Sequence, residues 1–301
     1  MTVTSELQSL QERFAHVQGL TFRPGPGGLT VAAIANDRAE ASVALHGGHV
    51  LAFQPRGQKP VLWVSRQSHY AAGKPIRGGI PLCWPWFGPH PVDAGKPAHG
   101  FARISPWSVV DATAGDVTQL RLALTDSDAT RALWPYPFRL ELTVKVGAQL
   151  QVELRIQNPG PAAFTCSDAL HSYFAVSDIA QVTVDGLDGC AYLDKVAGAE
   201  RREQAGPIAV TAETDRVYLD TTADCLVTDA GWRRAIRVAK RGSRTTVVWN
   251  PWAERARQLA DFGDGEYHGM VCVETANAAD DVITVHPHGE HRLAATLSVE
   301  T

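Results

Sequence analysis

RLELTVKVGAQLQVELRIQ, residues 139–157, decides how the rest of this chain is read. Leu140, Leu142, Val144 and Val146 alternate with polar neighbours, and Leu150, Val152, Leu154 and Ile156 do so again after Gly147-Ala148. Successive side chains of a strand point to opposite faces of a sheet, so this period of two buries one face of each strand and solvates the other. The Gly-Ala break between the two runs predicts a hairpin. Outward from it, segments 29–35, 41–53, 61–64, 107–111, 119–125, 181–185, 216–220, 234–239, 244–249, 269–274 and 293–299 read as further short strands, punctuated by Gly and Pro. No amphipathic helices separate them, which argues against a parallel βαβ sheet and for a mainly β chain, a sandwich or large antiparallel assembly.

The first twenty residues break the pattern. Leu7, Leu10, Phe14 and Val17 recur at three- and four-residue spacing, which predicts a small docking helix with Ser5 and Gln8 as its capping box. No repeat, low-complexity tract or linker marks a further boundary, so the expected division is a helical segment over 1–20 and one β-sandwich domain over 21–301. With 301 residues, 45% of them hydrophobic and 20% charged, the chain can bury a full core. Its net charge, 28 − 32 = −4, gives no overall basic field for nucleic acid or an anionic membrane. No stretch approaches the roughly 18 apolar residues of a membrane span, and no leader pattern opens the sequence. Five cysteines, odd in number, scattered and never in CxxC spacing, argue against a disulfide framework or zinc knuckle and fit a reducing cytoplasm. A cytoplasmic monomer is expected.

Region 66–106 is irregular and unusually aromatic. Trp84, Trp86, Phe87 and Phe101, with Trp107 just beyond, stand among glycines and prolines, together with Arg77, Arg103, His69, His90 and His99. A long loop this apolar is not a disordered one, and it reads as a binding wall. Arginine forks suit phosphate or carboxylate, the alternative being structural salt bridges. Gly78 and Gly79 beside Arg77 leave room for its guanidinium to reach out, but no GxxxxGK[ST] or GxGxxG accompanies them. His171 in ALHSYF and Glu274 in CVETAN each lie in a short apolar segment that reads as a strand. A histidine there is more often a packing residue. A carboxylate in such a strand demands a partner. His286, His288 and His291 lack the spacing of HExxH, and Pro287 and Gly289 make them a turn, so no metal is expected. No GxSxG or Ser-His-Asp arrangement supports nucleophilic hydrolysis.

RGGIPLCWPWFG, HGFAR, ALHSYF, ETDRVY, WNPW and CVETAN, in this order, resemble the aldose 1-epimerase superfamily and within it the hexose-6-phosphate mutarotase branch, from about Ala41 to Pro287. The resemblance implies a galactose-mutarotase-type antiparallel β-sandwich with a sugar cleft on one face, and a hexose 6-phosphate as substrate. It implies His171 as general acid and Glu274 as general base, Asp215 as a carboxylate for sugar hydroxyls, and Arg77 and Arg103 on the phosphate side. His99 would line the same cleft. Trp86 stands where some relatives carry glutamine, which implies an aromatic face packed against the sugar ring in place of polar contacts. Anomer interconversion needs a base on the C1 hydroxyl and an acid on the ring oxygen, and no cofactor or metal. A free-hexose 1-epimerase would keep the pair without needing the arginines for phosphate. A non-catalytic sugar-phosphate-binding module would keep the arginines without the pair.

Overall fold

The computed structural model describes residues 3–300. The hairpin is formed as expected: Arg139–Val146 pairs with Leu150–Gln157, Val146 facing Leu150 across the turn. It lies within a nine-stranded antiparallel sheet whose other strands include Thr118–Thr125, Arg234–Arg241 and Glu290–Glu300. The second large sheet has eight strands. Its order runs Glu200–Glu203, Ala191–Asp194, Thr214–Tyr218, Thr245–Asn250, Met270–Asn277, Asp168–Leu170 and Leu82–Cys83, with Tyr173–Ala175 also on Met270–Asn277. A four-stranded meander over 20–55 completes the main architecture. One apolar cluster joins the three: Leu142, Leu154 and Leu293 from the nine-stranded sheet, Val248, Val271 and Val273 from the eight-stranded one, and Ile34 and Val43 from the meander.

Several local expectations change. The helix runs only over Val3–Arg13 and starts two residues before Ser5, so Ser5 and Gln8 lie inside it and the expected capping box is not its beginning. Its far end is fastened instead, Arg13 donating to the carbonyls of Val109 and Val110 at 3.3 and 2.7 Å. Phe14 and Val17 follow the helix and drop into the core. Segment 41–53 is two strands, Ala39–Ala44 and His49–Pro55, because Gly47 and Gly48 take positive φ and turn the chain between them. Segment 61–64 forms only isolated bridges, Leu62 to Phe174 and Val64 to Gly78. Glu200–Glu203, all four residues exposed, was hidden from a hydrophobic pattern because it carries none.

Gly78 and Gly79 are required for a reason other than clearance for Arg77. Gly78 has φ +113° and a Cβ there would fall 2.4 Å from Val64 Cα; at Gly79, φ +63°, it would fall 2.2 Å from the Val50 carbonyl. The loop is thus pressed onto the 50–64 backbone. His49, fully buried, holds it from below with Nε2 donating to the Gly78 carbonyl at 2.7 Å.

Candidate active site

Met270–Asn277 is buried at every residue, and alternation divides its side chains between two apolar environments. Val271 and Val273 join the core between the sheets, whereas Met270, Cys272 and Ala276 belong to clusters on the other face. Glu274 shares that second face. The neighbouring strand is interrupted at His171 and Ser172, but its register is the same on both sides, Leu170 opposite Thr275 and Tyr173 opposite Cys272. His171 therefore stands directly opposite Glu274, where cross-strand side chains meet. Nε2 of His171 lies 3.3 Å from Oε1 of Glu274. The interruption spends the His171 backbone N–H on the Pro81 carbonyl, 3.1 Å away, which ties the pair to the aromatic loop.

The imidazole is held by rings. It stacks on Tyr173, centroids 4.7 Å apart and planes within 7°, and meets His99 and Trp249 edge-on at 5.7 and 6.3 Å. Arg77 reaches the same stack, Nη1 donating to the Tyr173 hydroxyl at 3.1 Å, while Nε and Nη2 donate to Asp261 at 3.2 and 3.1 Å. The salt-bridge alternative is therefore realised at Arg77. Arg103 is freer: Nη2 donates to the Ala98 carbonyl at 2.8 Å and the buried Nε has no partner. Asp215 lies one cross-strand row from Glu274, opposite Trp249, which in turn is opposite Cys272. His99, at φ +60°, is edge-on to Phe87 at 4.9 Å.

Trp86 turns into the loop and the core. Its ring is 6% exposed, its Nε1 donates to the Pro97 carbonyl at 2.9 Å, and it packs on Phe101 and His90. Ring packing there serves the core, and the adjacent Phe87 is the ring that faces His99. The period of two along 84–87 does not exist, so sequence did not distinguish the two. Sequence reading also did not single out Asp261, which holds Arg77, or Trp63, which stacks on Tyr173 at 5.8 Å and packs on Phe262 at 5.0 Å. Asp261 sits in the polar run DFGD, which carries no signal of its Arg77 contact.

Electrostatics set the pair in an unexpected state. Burial drives His171 well below the usual imidazole range, helped by His99, Arg103 and Arg77. Burial likewise drives Glu274 well above the usual carboxylate range, helped by Asp215 and opposed by Arg103. Both shifts favour the uncharged forms, a carboxyl beside a neutral imidazole, the reverse of an imidazolium beside a carboxylate. His99 is pushed down to about 3, first by burial and then by the two arginines. A concavity of about 750 Å³ lined by His16, Asn36, Arg38, Arg56 and Asp116 lies elsewhere and holds none of these residues. Chemistry rather than volume selects the His171–Glu274 pair.

A β-sandwich with a His–Glu pair on one sheet face defines a mutarotase-like protein. The aldose 1-epimerase family model matches residues 30–298, and the chain belongs to that family. It is 38% identical over 275 residues, 90% of each chain, to a Salmonella typhimurium protein named "Putative glucose-6-phosphate 1-epimerase". A Cenchrus ciliaris protein of the same name is 35% identical over 269 residues, 86% of this chain and 80% of that one. The crystal structure of a "putative mutarotase" from Salmonella typhimurium superimposes with a TM-score of 0.89 at 35% identity, covering 97% of this chain and 99% of that one. Galactose 1-epimerase from Lactobacillus acidophilus shares the fold, with a TM-score of 0.72 at 13% identity over 93% and 98% of the two chains.

Proposed function

We propose that this isomerase interconverts the α and β anomers of a hexose 6-phosphate, glucose 6-phosphate foremost. The observation that carries the reading is the 3.3 Å His171–Glu274 contact beside two arginines. Relatives at 35–38% identity bearing the name of that reaction support the substrate.

Ring opening moves one proton off the C1 hydroxyl and one onto the ring oxygen. No electron changes hands, so the pair suffices. Glu274 is the base and His171 the acid once the pair's proton has crossed to His171. The substrate's phosphate promotes that crossing: a dianion beside Arg77 and Arg103 offsets the positive potential that depresses His171. Rotation about C1–C2 and closure in the reverse sense give the other anomer. Asp215 receives sugar hydroxyls. The arginines position the phosphate end, away from the reacting atoms.

The deciding experiment follows anomerisation of glucose 6-phosphate and of free glucose in parallel. A kcat/KM strongly favouring the phosphate is expected. Equal values would transfer the assignment to a free-hexose 1-epimerase.

A further inference from the structure

The acid–base pair has a third donor beside it. Cys272 precedes Glu274 by two residues on the same strand and so presents its side chain to the same face, opposite Tyr173. Among the described residues, His171, Cys272 and Glu274 each offer one donor atom, and these atoms all lie within 4.8 Å of one another. The three residues are 7%, 0% and 1% exposed. Among the described residues, His171 Nδ1 and Glu274 Oε2 are buried without a hydrogen-bond partner.

Imidazole nitrogen, thiolate sulfur and carboxylate oxygen with a fourth position open is a donor set that zinc takes, at bond lengths of about 2.0–2.3 Å. Tetrahedral geometry at those lengths separates donor atoms by about 3.5 Å. The histidine and glutamate atoms are already 3.3 Å apart, and with all three donor atoms within 4.8 Å the set must draw together to close on an ion. Softness favours the same ions, since sulfur and imidazole select zinc over magnesium or calcium.

We propose that His171, Cys272 and Glu274 bind a thiophilic divalent cation, zinc foremost, and that the bound ion reversibly blocks the acid–base pair. Cation binding stands on the donor geometry, whereas the inhibitory consequence rests on the role proposed above for the pair. The thiol proton leaves to solvent as sulfur binds. Ligation would then withhold the side chains of His171 and Glu274, through which protons would pass.

Full-length protein, stripped with chelator and titrated with Co²⁺, should develop a near-ultraviolet thiolate-to-cobalt band together with the visible absorption of a tetrahedral site. Cys272→Ala should remove the near-ultraviolet band while the protein stays folded and active. Zn²⁺ should inhibit the wild type, EDTA should restore it, and Cys272→Ala should weaken inhibition by at least about tenfold, the lower end of what losing even an outer partner of a ligand does. Cys272→Ser, close in volume, separates loss of sulfur from loss of packing and should behave like the alanine variant. No band in the wild type, or equal zinc inhibition of wild type and Cys272→Ala, overturns the site. A protein that shows the band without anomerising glucose 6-phosphate overturns the function and keeps the site. One that anomerises without the band does the opposite.

Discussion

Glu274 is 1% exposed among Val273, Cys272 and Thr275, an environment that only a reacting or hydrogen-bonded partner justifies. That much was legible from CVETAN before any coordinates. Its charge was not, because protonation depends on how completely folding removes water from both members of the pair. Glu274→Gln and His171→Asn should each reduce turnover by about 100-fold or more, given that positioned proton transfer contributes 10²–10⁴. Near-normal turnover in either folded variant would remove that residue from the mechanism. The arginines should now behave differently from one another. Arg103→Ala should weaken hexose 6-phosphate by about 1.5–3 kcal/mol, the scale of a charged hydrogen bond, and leave free hexose nearly unchanged. Arg77 also braces Tyr173 under His171, so Arg77→Ala should impair both substrates. Steady-state KM and kcat on the two sugars test this, and a loss confined to the phosphate for both variants would contradict the bracing role.

Strand identity was legible wherever alternation ran for eight residues, as in the hairpin, and illegible where pairing outweighed pattern. Glu200–Glu203 is a strand because Ala191–Asp194 supplies its hydrogen bonds, and Leu82–Cys83 is too short to show any period. The aromatic loop lies beside the pair, and its glycines answer to backbone contact that no sequence displays. Gly79→Ala would force a side chain against the Val50 carbonyl at positive φ, and it should cost about 2 kcal/mol or more of stability. Urea unfolding measures this directly. An unchanged midpoint would mean that the loop moves off the 50–64 backbone at little cost.

At the scale of the molecule, two buried groups shape stability against pH in opposite directions. Burial lowers His49 from 6.5 to about 3, so its contribution is full above 6.5 and is lost as pH falls from there toward 3. Burial raises Asp168 from 3.8 to about 8, so its contribution is full below 3.8 and is lost as pH rises through 8. Asp168 lies opposite Asn277, whose backbone only partly offsets the burial, on the face of its strand turned toward the core. Asp168→Asn should therefore gain on the wild type as pH rises, by a few kcal/mol between acid and alkaline limits at about 1.4 kcal/mol per pKa unit. Melting temperatures measured across that range should diverge upward. A constant offset would show that Asp168 does not titrate with folding. The register that sets His171 opposite Glu274 carries a consequence for descent. Substitutions around the pair can adjust the cleft one side chain at a time, but a single inserted or deleted residue in 270–277 would turn Glu274 into the core and Thr275 into the cleft. Lineages that keep this chemistry can vary the letters of those two segments and not their lengths, so any divergence in size must accumulate in the loops between them.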